Sequence, residues 1–532
     1  MRKLAALTVT AVAVAGTLVV TAPAHAAAGA GWLSADWLVQ TGTTKLSTVI
    51  KAAGADKADK DNPDDGDSAT GVALNGAGIG VALIDSGVSP VKGLDGAGKV
   101  IHGPDLSFES QVPNLRYLDT FGHGTHMAGI IAGQDTTLGI GTPFAGVAPG
   151  AHIVSVKVAS ADGASDVSQV IAGIDWVVAH RNDPGLNIRV LNLSYGTESN
   201  QPATLDPLAY AVEKAWEAGI VVVVAAGNDG FAADSLTMPA ADPDVIAVGG
   251  VDTRDTDART DDVVADFSNR GDAARHPDVL AAGRSVVSLR SPGSYIDLTY
   301  PAARLSLLAD PEQRFLRGSG TSQAAAMVSG SVALLLQQRP KLQPDEVKQL
   351  LMSTADPIVG GDPYAAGAGQ INLARAARTR TSGGKQDNIA ATGLGSLEAA
   401  RGGAYVYDSV TGTPLTGERD IFGMVWDARA WTAASAAQRS WVGGTWNGST
   451  WTGSTWTGST WTGTFWGVPA FSGGAWAPAT WTGRSWSGAS WSGRSWSGAV
   501  WSGRSWSSQT WTGRSWSGRS WSAAGWTGEP WH

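Results

Sequence analysis

From Gly78 onward the chain alternates short apolar runs with segments whose apolar residues recur every three or four positions, and this alternation narrows the available folds more than any other feature. The runs are 79–84, 153–158, 188–193, 220–225 and 245–248. Between the second and third, Val167, Val170, Ile171, Ile174, Val177 and Val178 follow a Ser165/Asp166 cap. Between the third and fourth, Leu208, Val212, Ala215 and Trp216 repeat the spacing and stop at Gly219. Strands apolar along their whole length are buried on both faces, and amphipathic helices between them supply the covering layers. The expected fold class is therefore α/β, a doubly wound parallel sheet. Ligands bind such sheets beyond the carboxyl ends of the strands, which directs attention to Asp85, Ser194 and the segment 225–230.

Composition divides the rest of the 532 residues. Arg2 and Lys3 precede an uncharged run over 4–24 that closes in Ala24-His25-Ala26. That is the pattern of a signal peptide over 1–26, and the run is too rich in Ala and Thr, and ends too clearly in a cleavage site, for an anchor. No second apolar segment of that length follows, so the expectation is a secreted, extracellular protein with no stable membrane span after cleavage. Residues 27–75 form a short leader or pro-segment, with six Asp against two Lys in 56–67. Lys plus Arg total 38 and Asp plus Glu 47, a net charge of -9, which speaks against nucleic acid as a partner because phosphate binding needs a concentrated basic face. The absence of Cys excludes disulfides, thiolate metal sites and a thiol nucleophile.

Three polar boxes punctuate the α/β body. Asp85 ends a buried run in Leu83-Ile84-Asp85-Ser86-Gly87; His123 lies in Phe121-Gly122-His123-Gly124-Thr125-His126; Ser322 lies in Gly318-Ser319-Gly320-Thr321-Ser322 at the opening of a long helix. Taken singly, each reads as a turn carboxylate, a core histidine or a helix cap. Together they supply what a serine nucleophile requires: an imidazole to remove its proton and a carboxylate to fix the imidazole tautomer. A fourth segment, Ala225-Ala226-Gly227-Asn228, ends another strand, and alone reads as the start of an Asn-Asp-Gly turn.

These segments resemble the Asp, His and Ser boxes of the subtilisin-like (S8) serine peptidases, in that family's chain order, over a peptidase domain of 76–378. The resemblance implies a secreted serine endopeptidase acting on proteins or peptides through an acyl-enzyme. Asp85 orients the base, His123 is the general acid/base, Ser322 attacks the scissile carbonyl and Asn228 helps to form the oxyanion hole. His126 falls outside the catalytic position and is expected to pack or hydrogen-bond. Ser194, Tyr195 and Gly196 resemble the wall that binds the extended substrate, although Tyr195 also reads as a surface turn aromatic. Thr237 matches the base of the pocket for the residue before the scissile bond, which favours small to medium uncharged residues there. Ala326 and Met327 depart from the family's usual proline, and Gln323 from a methionine beside the nucleophile. The resemblance requires no cofactor for chemistry and brings an expectation of structural calcium, for which Asp119 and the group Asp252, Asp255, Asp257, Asp261 and Asp262 offer oxygens without the spacing of a calcium loop. A leader of this length is shorter than the family's usual folded propeptide.

Residues 379–440 read as a linker rich in Gly, Ser, Thr and Ala, with a short β piece at 404–407. From Trp441 to Trp531 an aromatic stands at every fifth position in a low-complexity Trp-Ser/Thr-Gly repeat tail over 441–532, Phe471 being the one that is not Trp; Trp426 and Trp431 share the phase. Five residues spiral around a helix and alternate faces in a strand, so neither element gathers the indoles on one side. Spaced indoles with nearby arginines suit cell-wall polymers or polysaccharides; a spacer without ligand is the other reading. The rival for the whole chain is a catalytically inactive cell-surface binding or structural protein that uses this tail.

Overall fold

The computed structural model describes residues 74–447 apart from 112–113, 138–143, 257, 308–309, 409–412 and 443–444, with paired fragments at 449–450, 461–462, 501–502 and 505–506. The expected signal peptide 1–26, almost all of the leader 27–75 and most of the repeat tail lie outside the described residues.

The apolar runs become the central strands. β1 (Gly80–Asp85) is buried at every position. β2 (Val100–Asp105), β3 (His152–Lys157), β4 (Ile188–Leu193), β5 (Val221–Ala225), β6 (Ile246–Asp252) and β7 (Val279–Ala282) complete a parallel sheet in the order β7-β6-β5-β4-β1-β3-β2, and Val263–Val264 adds an antiparallel edge to β6. β2 and β7 escape the apolar pattern: β2 is a half-buried edge interrupted by Gly103 and Pro104, and β7 has four residues. β1 pairs with β3 from Gly80↔His152 to Asp85↔Lys157, and with β4 as far as Ile84↔Leu193. The chain thus winds away on both sides of β1, and the crevice that such a reversal opens lies at the end of β1, where Asp85 stands.

Helices α1 (His123–Ala132), α2 (Val167–His180), α3 (Pro207–Glu217), α4 (Thr321–Gln338) and α5 (Pro344–Thr354) cover the sheet, with α1 packed on α4 and α2 on α3. Asp166 caps α2 by accepting from the Ser168 N–H at 3.0 Å, and Gln169 returns a bond to the Asp166 N–H. Asp206 caps α3 in the same manner, with Pro207 in its first turn. A hairpin of β8 (Val286–Leu289) and β9 (Phe315–Gly318) leads into α4. Among the described residues no helix is long and apolar enough to cross a membrane.

The segment expected to be a linker is instead built into the body. After residue 379 the chain runs along α3 and α5, where the Ala391 N–H donates to both Glu213 carboxylate oxygens (2.8 and 2.9 Å) and Gln386 Nε2 to Asp345 (3.0 Å). It then forms α6 (Leu397–Arg401) and α7 (Ala428–Ala436). Leu397, Ala400, Val406, Leu415, Ile421, Trp426, Trp431 and Trp446 all join the main core. Asp175 of α2 is the anchor: it accepts from Trp431 Nε1 at 2.9 Å, Trp446 Nε1 at 3.0 Å and Ser435 Oγ at 2.7 Å. Small residues suggested a linker because the apolar anchors are sparse, yet a few indoles bury more surface than many alanines. The β piece lies at Tyr407–Asp408, paired with Trp461–Thr462.

The first repeats also resolve the five-residue period. Trp441 stands directly opposite Trp446 in an antiparallel pair, as Trp501 does opposite Trp506. Residues opposite each other share a face of a hairpin, which a single strand could not give them. Trp441 Nε1 accordingly reaches Ala172 O at 2.8 Å on the same helix that receives Trp446.

Candidate active site

Asp85 is carried by the last position of β1 and His123 by the first turn of α1, and both side chains are buried. His123 Nδ1 lies 2.9 Å from each Asp85 carboxylate oxygen. An ionised carboxylate only accepts, so Nδ1–H donates and the Nε2 lone pair is left as the basic one. The helix start can approach the strand end this closely because residue 124 is glycine: a Cβ there would stand 2.1 Å from Gly87 O and 3.1 Å from Asp85 Oδ1. Gly122, at φ +106°, turns the chain into α1 through the left-handed region.

A second carboxylate holds that geometry. Asp119 accepts from the Gly122 N–H (2.6 Å), the Thr125 N–H (2.7 Å) and Ser86 Oγ (2.7 Å), while Ser86 Oγ accepts from the Gly124 N–H at 3.0 Å. Burial raises its carboxyl above the usual range, against the pull of these donors. Asp119, one of the carboxylates offered for calcium, thereby satisfies N–H groups at the start of α1. Ser86, Asp119 and Thr125 are functional supports that the motif reading passed over; the spacing Asp-x-x-Gly ahead of the His box was their one local signal.

Ser322 is the second residue of α4, buried, with its N–H among the free donors of a helix start. Asn228 follows β5 and is fixed by its oxygen, which accepts from the Thr321 N–H at 2.8 Å and Thr321 Oγ1 at 3.0 Å. With Oδ1 so engaged, the amide's donor end is the one left for a ligand. The first turns of α1 and α4 belong to packed helices, and Gly122, His123 and His126 line one small cleft with Leu316, Gly318 and Gln323, the residue after Ser322. His126 Nε2 donates to Leu316 O at 3.2 Å, and burial, followed by the neighbouring His123, pushes its imidazole down to about 4.

The expected substrate wall is only partly gathered. Asn192 Nδ2 donates to Ser194 Oγ at 3.1 Å, and Ser194 Oγ points to Ser322 O at 3.5 Å. Gly196 faces Thr237 so tightly that a Cβ at 196 would lie 2.4 Å from Thr237 Oγ1. Tyr195 turns the other way: it is 3% exposed, and burial followed by Asp166 drives its phenol well above the ordinary tyrosine range. The surface-turn reading of Tyr195 is thus corrected, because alternate residues of an extended segment face opposite sides.

Of the other carboxylates offered for calcium, Asp252 pairs with Arg284 at 2.9 Å and Asp261 accepts from Thr256 Oγ1 at 3.0 Å, whereas Asp262 is buried and its carboxyl is pushed up to about 6 by that burial; Asp257 lies outside the described residues. The acidic group that does converge is Glu213, Asp242 and Asp244, whose carboxylate oxygens fall within 4.8 Å of one another. Burial raises Glu213 and lifts Asp242 well above the usual carboxylate value, and the neighbouring carboxylates push in the same direction.

Set beside known proteins, the body matches the model of the Subtilase family (Peptidase_S8) over residues 76–393. The chain belongs to the subtilase family. Membership places it among the subtilisin-like serine proteases, whose substrates are proteins or peptides. It is 37% identical over 308 residues to serine protease AprX of Bacillus subtilis (strain 168), covering 57% of this chain and 66% of the relative. It is 33% identical to subtilisin DY of Bacillus licheniformis, covering 57% of this chain and 92% of the relative. The crystal structure of fervidolysin from Fervidobacterium pennivorans aligns at 28% identity with a TM-score of 0.46, over 58% of this subtilase and 44% of that chain.

Proposed function

We propose that this subtilase is a secreted serine endopeptidase working through Asp85, His123 and Ser322. The observation that carries the reading is the buried Asp85 carboxylate against His123 Nδ1 at 2.9 Å, on a helix packed against the one that begins with Ser322. Asp85 holds the tautomer in which Nε2 is basic; His123 takes the Ser322 Oγ proton as the oxygen attacks the scissile carbonyl. The tetrahedral oxyanion is stabilised by the Ser322 N–H and Asn228 Nδ2. His123 then passes the proton to the leaving amine, and water releases the acyl group by the reverse route. Ser194 and Gly196 line the substrate strand, and Thr237 shortens the pocket for the residue before the scissile bond. The chemistry draws on no cofactor; calcium would act on stability alone.

Residues 1–26 direct export, and the repeats beyond Trp446 retain the enzyme at wall polymers or polysaccharides by many weak indole contacts. The deciding experiment treats the wild type and Ser322→Ala with a serine-directed phosphonylating probe, with circular dichroism to verify folding. Wild-type labelling and its loss in Ser322→Ala, together with nearly all peptide turnover, are expected. Unchanged turnover in folded Ser322→Ala protein refutes the mechanism.

A further inference from the structure

Residues 197–200, which continue directly from the Ser194–Gly196 wall, are held from two sides. On one side Thr197 and Met238 exchange backbone bonds, N–H to O at 2.9 Å and 2.8 Å, beside the contact of Gly196 with Thr237. On the other lies α6. Thr197 Oγ1 donates to Ala400 O at 2.6 Å, and the Asn200 N–H donates to Ala399 O at 3.0 Å. Gly402, at φ +58°, follows α6 so closely against this stretch that a Cβ would lie 2.1 Å from Glu198 O. α6 lies beyond residue 393, where the family match ends, so this outer support belongs to the chain's own extension.

Arg401 locks α6 in place. Its side chain is fully buried, and Nε donates to Asp166 Oδ2 at 2.6 Å, Nη1 to Gly417 O at 2.8 Å and Nη2 to Arg419 O. Asp166 is the cap of α2, and next to it Ser168 Oγ accepts from the Ile421 N–H at 2.9 Å. Asp166 and Arg401 also act electrostatically on buried Tyr195, which lies between Ser194 and Gly196 in the chain. A guanidinium fork fixes direction as well as charge, and either member of a buried pair resists displacement because its loss strands the other.

We infer that Arg401 is a positioning residue for substrate recognition: through α6 and the Ala400–Thr197 bond it sets where the Ser194–Gly196 wall stands. The segment 396–421 is then a specificity-determining part of the enzyme. This rests on the wall reading given above.

The test uses the full chain with Arg401→Met, Arg401→Lys, the double variant Asp166→Asn/Arg401→Met, and Thr237→Ala. Asn retains the cap on α2, so the double variant removes the Asp166 pair without leaving a lone buried charge, because Glu398, the other carboxylate on Arg401 at 3.2 Å, is partly exposed. For each, kcat and KM are measured on peptides differing in the residue before the scissile bond, alongside labelling by a small phosphonylating probe and the thermal midpoint. Arg401→Met is expected to raise KM for the preferred peptides about tenfold and to flatten the preference, with kcat and labelling nearly unchanged. Arg401→Lys recovers part of the preference. The double variant regains the thermal midpoint and not the preference. Wild-type KM and preference in the folded double variant overturn the proposal; if both Met variants fail to fold, the same result in Arg401→Lys overturns it. Thr237→Ala keeps the two readings apart. A preference altered by Thr237→Ala alone removes the role of Arg401 and leaves the wall, whereas a preference altered by no variant removes the wall itself.

Discussion

Asn228 carries the sharpest prediction among single side chains. Its oxygen is held by Thr321, so Asn228→Asp keeps that acceptor but replaces the donor by an anionic oxygen, while Asn228→Ala removes donor and acceptor without adding charge. Both are expected to lower kcat by about 10²–10³-fold with little change in KM, the magnitude that loss of the same kind of donor has in a subtilisin. Steady-state kinetics on one small peptide measures it, and a full kcat in Asn228→Asp excludes the amide as a donor. His126 sets a pH response. Its imidazole is at about 4 in the folded chain against 6.5 as the ordinary value, so between those limits the unfolded state binds more protons and stability rises with pH. The contribution is lost as pH falls from 6.5 to 4, in all roughly 3 kcal/mol at about 1.4 per unit. His126→Gln should flatten the urea midpoint against pH in that window; an unaltered slope would assign the acid sensitivity to another group. The contact of Asp85 with His123 was legible because one is a carboxylate at a strand end and the other an imidazole between two glycines at a helix start. The link of Ser86 to Asp119 and Gly124 was not, since those bonds exist only after the loop from β2 returns to the end of β1.

Among the elements, α7 is the one whose loss is most informative. Trp431 is fully buried, with Tyr210 at 5.4 Å and Trp426 at 5.0 Å between ring centroids, and its Nε1 satisfies Asp175. Trp431→Ala removes a large core side chain and one donor to a buried carboxylate, with an expected loss of about 3–5 kcal/mol. Chemical denaturation measures it, and a loss below about 1 kcal/mol would mean that α7 does not dock on α2 in solution. The strands and crossover helices of the body could be read from periodicity because each repeats its apolar signal several times. α6 and α7 have nine residues or fewer, and their partners lie more than two hundred residues earlier in the chain, so no local pattern announces them. The spacing of Trp441 and Trp446 is of the same kind: it belongs to paired strands, and a single strand or helix does not contain it.

For the whole molecule, the boundary between catalysis and tail lies later than composition suggests. A chain ending after Arg380 lacks α6, α7 and Trp446 and uncovers Asp166, Asp175 and the face of α2 on which they pack. It is expected to be insoluble or to melt far below the intact enzyme. A chain ending after Thr450 keeps every described contact of Asp175 and should retain full small-peptide turnover while binding isolated wall polymer less than the complete chain in a pull-down. Full turnover by the shorter chain would contradict the docking of 396–447, and equal retention of the longer one would favour a spacer role for the remaining repeats. The position of these anchors also sets an order of events. A polypeptide made from its amino end delivers Asp85, His123 and Ser322 well before Trp431 and Trp446 arrive to cover Asp175. The last layer over α2 therefore closes only when the carboxyl end arrives, and a chain broken off early carries the catalytic segments on a body that is still uncovered.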